Sequence, residues 1–324
     1  MKLLSPLRFA PVYQPRPWGG RRLATVLGRR LPDERTRYGE SWEISDRPEC
    51  QSIVAEGPYQ GKTLNSLWME HRSAVFGTEF EEHPAAHYPL LIKILDAAQD
   101  LSIQVHPPAE VAAELGGEPK TEAWYVVQAD PQARILAGFK PGVDRPGLEL
   151  ALEEGRCDEL LNSWHPSRGQ SLFLQSGHVH ALGGGIMVFE IQQNSDTTYR
   201  MHDWGRSGPD GNPRELHLPQ ALRCINLEDK APEPFTSIAD GELAVCSSFQ
   251  IRSRSVPVGS TAEVGRAGEH LILMMAWGDA MLGGLALSPG ATVLIPAELG
   301  DNARCLAPTG PLTAKWLEIR PGKS

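Results

Sequence analysis

Leu101-Ser102-Ile103-Gln104-Val105-His106-Pro107 is the stretch on which the reading of this chain turns. From Ser102 to His106 polar and apolar residues alternate strictly, the period of a β-strand. Ile103 and Val105 then face one way, Gln104 and His106 the other, and Pro107-Pro108 ends the strand. Fourteen to sixteen residues on, Lys120 and Glu122 repeat the arrangement if a second strand starts at Lys120. His180 follows the glycine turn Gly177-His178-Val179 at the end of a third strand. Three strands would thus deliver an amide oxygen, two imidazoles and a carboxylate. A mixed N/O set of this kind suits zinc or another borderline divalent ion, with room for water or substrate. Each residue alone also fits a solvated strand face, and no short-spaced Cys/His zinc signature is present.

Outward from that stretch the chain reads as many short strands. Tyr88–Leu95 is a buried apolar run. Glu122–Val127 and Ala133–Phe139 read as paired strands, and Ser171–Leu174, Ile186–Gln192 and Thr197–Met201 as further strands. Helical periods cover residues 63–76, 109–115, 148–161 and 218–225. Glu228–Asp240 is acidic, contains proline and reads as a linker, after which almost everything is short strands with Gly or Pro turns. The class is mostly β with a few added helices, a barrel or sandwich rather than an alternating βαβ fold. One repeat is visible. Gly169, five residues and Gln175 to His180 match Gly290, five residues and Pro296 to Asp301, with Asp301 where the first copy has its histidine.

The chain has 324 residues, enough for two domains, and its 32 glycines and 27 prolines suit many tight turns. A formal net charge of −9 argues against nucleic acid as a partner. The five cysteines form no CxxC pair, which fits a reducing cytoplasm. No apolar run approaches the ~20 residues of a membrane helix. The residues Glu190, Gln192, Asn194, Asp196, Thr198 and Arg200 share one face if the backbone stays extended, and such a face is costly to bury without a purpose. Lys93 interrupts the apolar run Leu90–Leu95, where a buried lysine needs a partner that an anionic ligand would provide.

Three segments resemble type I mannose-6-phosphate isomerases: Lys93-Ile94-Leu95-Asp96 through Pro107; Pro119 through Trp124; and Gly177-His178-Val179-His180-Ala181 through Glu190 to Arg200. The hairpin Gly169-x5-Gln175-x-Gly177-x2-His180 is similar to that of the cupins, with Gln175 where proline is usual. Together they cover residues 88–206. Trp18-Gly19-Gly20 and Gly39-Glu40-Ser41-Trp42-Glu43 resemble the short bacterial branch, and the large helical insertion of longer members is missing.

The resemblance implies a double-cupin scaffold, with a catalytic cupin domain at 1–240 and a degenerate cupin-like domain at 241–324. It implies one zinc ion per chain on Gln104, His106, Glu122 and His180, a catalytic Arg200, and a substrate-binding Lys93. Glu190 is a further candidate for substrate contact. The expected reaction interconverts mannose 6-phosphate and fructose 6-phosphate through a cis-enediol. Lys120 is the candidate base, Arg200 the stabiliser of oxyanion charge, and Asp196, with His106, a candidate for ring opening. Lys93, Lys120 and Arg200 would form the basic cluster that an acidic protein needs for a phosphate. The expected partner is a small sugar phosphate, in a monomer or homodimer. Two rivals share the scaffold. An iron dioxygenase would have no need of the lysines, and a non-catalytic sugar-phosphate binder would not need Arg200, Asp196 and Lys120 together.

Overall fold

The computed structural model describes residues 5–208, 211–228, 232, 235–236 and 240–322. Two pairs of antiparallel sheets dominate it. The first pair holds a seven-stranded sheet, in the order Phe235–Thr236, Gln170–Leu174, Glu122–Ala129, Ile186–Gln193, Leu90–Ala97, Val12–Gly20, Tyr38–Ile44. Facing it is a five-stranded sheet, in the order Leu161–Trp164, Ile135–Phe139, His180–Leu182, Ile103–Val105, Tyr199–His202. The second pair holds a six-stranded sheet built on Leu271–Trp277 and Ala314–Pro321, and a four-stranded one. Leu7–Arg8, near the start of the chain, joins this second pair through Thr292–Ile295.

The central strands of the seven-stranded sheet are apolar on both faces because both faces are buried. On Leu90–Ala97, Leu95 and Ala97 face the space between the first two sheets, while Leu90, Ile92 and Ile94 face the other way. The register repeats on Ile186–Gln193, with Ile186 and Val188 inward and Met187, Phe189 and Ile191 outward. The outward core continues into Ile272, Met274, Leu317 and Ile319 of the six-stranded sheet and into Leu64, Leu67, Trp68 and Phe76. The inward face also carries the buried polar residues Lys93, Glu122, Glu190 and Gln192.

In the five-stranded sheet Ile103, Val105, Tyr199 and Met201 join an outer core with Leu148 and Ala221 of two helices. Gln104, His106 and Arg200 are thereby left on the inner side.

Several boundaries differ from the sequence reading. The helix expected over 148–161 is Arg145–Glu153, ended at Gly155 (φ +68°) and followed by a 3-10 turn at Cys157–Leu160. The 63–76 helix is two, Leu64–Glu70 and Arg72–Phe76, broken at His71. Much of the stretch read as a linker lies outside the described residues, but its Phe235–Thr236 pairs with Gln170–Leu174 as an edge strand. The repeat begins alike in both copies, since Gly169 and Gly290 take φ +85° and +83° ahead of a strand. It diverges at its end. His180 is buried at the start of a strand, whereas Asp301 is exposed in a 3-10 turn.

Gly39 shows how the fold shapes the site. A Cβ there would lie 2.6 Å from Arg16 Cβ and 2.6 Å from the Trp18 ring. Only glycine lets Arg16 and Trp18 lie across the neighbouring strand, where both face the inner cavity.

Candidate metal centre and sugar-phosphate cavity

His106, Glu122 and His180 converge between the two sheets, with one donor atom from each within 4.8 Å of the others. His180 and Gln104 are register partners on adjacent strands. Each histidine presents Nε2 inward because Nδ1 is engaged by backbone: His106 Nδ1 on Thr197 O at 2.8 Å, His180 Nδ1 on His178 O at 3.0 Å. Both Nε2 atoms stand 3.4 Å from Glu122. Gln104 Nε2 lies 3.3 Å from His180 Nε2, and a half-turn of the amide would present Oε1 instead.

The protonation states suit a cation. Burial holds the His180 imidazole down to about 3, against the pull of Glu122. Burial and then Lys120 lower His106 as well. Burial would raise Glu122, but Lys120, His106 and His180 hold it well below the usual carboxylate range. The set is therefore two neutral imidazoles and a carboxylate, the forms that ligate metal. Both Glu122 oxygens are buried without a hydrogen bond, although Lys120 Nζ stands 2.7 Å from one as an ion pair. A buried carboxylate whose Oε1 has no such partner, beside two neutral imidazoles, is what a divalent cation would satisfy.

Gln104 and Lys120, which touch this centre, also line a cavity of about 430 Å³. Lys93, Glu190, Asp196 and Arg200 line it as well. Asn194 does not. The chain turns after Gln193, and Asn194 Nδ2 donates instead to Asp46 O. Gln192 is buried and turned onto the Ser195 carbonyl. Lys120 precedes its strand, which starts at Glu122, yet still reaches His106 Nε2 at 3.2 Å.

Lys93 is not the unpartnered cation that its place in an apolar run implied. Its ammonium lies 3.3 Å from Asp196, 3.6 Å from Glu190 and over the face of Trp42. Burial would lower it, but Glu40, Asp196 and Glu190 outweigh that and raise it. Burial raises Glu190, which also accepts from Trp124 Nε1. The sequence reading did not pair Lys93 with these acidic neighbours, which come from two other segments, one carrying Glu40 and one carrying Glu190 and Asp196. Removing Lys93 would take away the cation that Glu40, Glu190 and Asp196 share. Lys93→Met is therefore expected to destabilise the fold by about 3–5 kcal/mol in chemical denaturation. A change below ~1 kcal/mol would show the network to be dispensable.

Glu40 and Arg16 were not singled out as site residues by the sequence, yet both line the cavity. Their side chains form a two-bond pair at 2.9 Å each, and Trp42 Nε1 donates to Glu40 at 2.7 Å. Burial would raise Glu40, but Lys93 and Arg16 bring it from 4.5 down to about 2. Because the folded value is depressed, the stability this group contributes is complete above about pH 4.5 and is lost as pH falls through about 2. Glu40→Gln should accordingly lower the unfolding midpoint at pH 7 far more than at pH 2.5. An equal loss at both would contradict the charge pairing.

The sequence profile of phosphomannose isomerase type I, catalytic domain, matches residues 7–134, which include Gln104, His106 and Glu122. The mannose-6-phosphate isomerase ManA of Bacillus subtilis (strain 168) is 36% identical over 313 residues, covering 92% of this chain and 95% of that protein. The mannose-6-phosphate isomerase of Streptococcus mutans serotype c is 41% identical over 211 residues, 65% of this chain and 64% of its own. Among solved structures, the mannose 6-phosphate isomerase of Bacillus subtilis superposes with a TM-score of 0.81 at 30% identity, over 98% of this chain and 100% of that one. The apo enzyme of Salmonella typhimurium, at 17% identity and a TM-score of 0.73 over 99% and 100%, shares the fold. The mostly β, double-cupin architecture expected from the sequence is the one these proteins share. With more than a third of residues identical across nearly all of both sequences, the chain belongs to the type I phosphomannose isomerase family.

Proposed function

We propose that this chain interconverts mannose 6-phosphate and fructose 6-phosphate with one zinc ion held by Gln104, His106, Glu122 and His180. The observation that carries this is the buried Glu122 carboxylate between two neutral imidazoles, beside a cavity lined by lysine and arginine. When bound, zinc supplies Lewis acidity toward the sugar carbonyl and its neighbouring hydroxyl.

The protein's side chains account for the rest. Lys120 Nζ, buried beside Glu122, acts as the free amine: it takes the proton from C2 of mannose 6-phosphate and returns it to C1, by way of a cis-enediol. Arg200, on the same cavity wall, stabilises negative charge on the oxygen as it develops. Asp196, with a side chain 44% exposed at the cavity, assists ring opening. Lys93 and Glu190 present a donor and an acceptor to the sugar hydroxyls. The free state of all five cysteines supports a reducing, cytoplasmic setting, and no helix among the described residues is long and apolar enough to cross a membrane. Residues 1–240 would carry the chemistry and 241–324 a supporting barrel, in a monomer or homodimer.

Metal analysis with a coupled assay on mannose 6-phosphate tests the proposal. About one zinc per chain and chelator-sensitive turnover are expected. Metal with dioxygen uptake, or phosphate-sugar binding without turnover, would overturn it in favour of a dioxygenase or a binder.

A further inference from the structure

The cavity's cations differ in how far protein carboxylates already neutralise them. Arg16 is taken by Glu40, Lys93 by Glu190 and Asp196, and Lys120 by Glu122. The excess lies elsewhere, on Arg200 and on the segment that follows it. There Asp203, buried, is the carboxylate that both Arg206 and Arg214 meet, at 2.5 and 3.3 Å.

Arg206 is fully committed. It bonds the Asp203 carboxylate, the Asp203 carbonyl and the Asp100 carbonyl. Arg214 is not. Among the described residues its one side-chain hydrogen bond goes from NH1 to Asp203, while the side chain lines the cavity. Arg200 forms no ion pair among the described residues. It spends one donor on the Glu215 carbonyl and leaves Nε buried with no partner. Both side chains line the same cavity, and burial, then Arg214, depresses the Arg200 guanidinium.

The segment is also held in place. Trp204 takes φ +56°, a left-handed conformation that no other non-glycine among the described residues adopts. Its Nε1 donates to Leu101 O at 2.7 Å, which ties the turn to the cavity wall. A backbone held in this region needs such anchors, and they cluster where function requires a fixed geometry.

We propose that Arg214, on the wall of the cavity, is the phosphate-binding residue of this chain, placed by Asp203 and Arg206. The inference rests on the sugar-phosphate reading above and names the group that recognises its anion. A guanidinium with donors still free, on a locally cationic wall, matches a phosphate's planar sets of oxygens. Asp203 acts as a positioning residue, since one carboxylate aligns two guanidiniums without cancelling both.

The test uses zinc-loaded full-length protein and Arg214→Gln and Arg214→Lys variants. Calorimetric titration with inorganic phosphate needs no turnover, so it judges the proposal even if the isomerase reading fails. Phosphate affinity should fall roughly tenfold or more in Arg214→Gln and recover in part in Arg214→Lys. KM for mannose 6-phosphate should rise about 10–100-fold, well beyond any fall in kcat, and the preference for mannose 6-phosphate over mannose should shrink in step. Wild-type protein that binds no phosphate, or an Arg214→Gln variant with phosphate affinity and KM within twofold of wild type, would overturn the assignment. Absence of isomerisation in wild type alongside Arg214-dependent phosphate binding would sink the isomerase reading and leave the phosphate site standing.

Discussion

His180→Ala should leave the folded chain with little zinc and cut kcat/KM for mannose 6-phosphate on the order of 10³-fold, the scale of several kcal/mol of lost Lewis-acid stabilisation. The fold should survive because Glu122, the charge most exposed to the loss, keeps Lys120 at 2.7 Å and His106 at 3.4 Å. Those contacts would draw the carboxylate toward the lysine and away from the position a cation needs. The variant should thus fail to regain activity on adding zinc, whereas wild-type protein stripped by chelator should regain it. Elemental analysis, thermal unfolding and the coupled assay together read the outcome. A variant with full zinc and ordinary turnover would remove His180 from the ligand set, and with it the reading of the buried cluster.

The site was legible in the sequence where it followed strand alternation. Gln104 and His106 were assigned opposite Ile103 and Val105, and the outer core does take those two apolar residues. Tyr199, next to Arg200 on its strand and so on the opposite face, lies in the same outer core. Alternation carries such information because one residue of register reverses every side chain. It fails where the chain turns. Asn194 shares the parity of Glu190 and Arg200, but the turn after Gln193 sends it to Asp46. Arg214 stands among glycines and prolines with no period at all, so nothing marked it. Lys93 illustrates a different limit. Its own strand shows that it is buried, but Glu40 and Asp196 come from segments 53 residues before and 103 residues after it, and a single strand cannot announce them. Gly39 is similar: its lack of a side chain has a cause only when Arg16 and Trp18 cross over it.

Arg200→Ala should retain zinc and lose about 10²–10³-fold in kcat, the usual cost of removing a donor whose partner gains charge mainly in the transition state. The geometry favours a selective effect. Arg200 makes no contact with the His106–Glu122–His180 cluster among those formed there, and its guanidinium is held at one donor by the Glu215 carbonyl while Nε faces no protein partner. Its charge is therefore available to an oxygen in the cavity rather than tied up in the fold. The companion measurement separates two routes for the hydrogen. If Lys120 carries a proton through an enediol, part of it exchanges with solvent during turnover. Fructose 6-phosphate incubated in heavy water should then gain deuterium at C1, and mannose 6-phosphate at C2. A hydride passing directly between the carbons takes up no label and has no use for a base. Isomerisation without deuterium under any condition, together with an active Lys120→Ala variant, would replace the enediol route by the hydride route. Label uptake that vanishes in Lys120→Ala but persists at a reduced rate in Arg200→Ala would instead fix the two roles separately, the lysine as proton carrier and the arginine as the charge that stabilises the oxyanion.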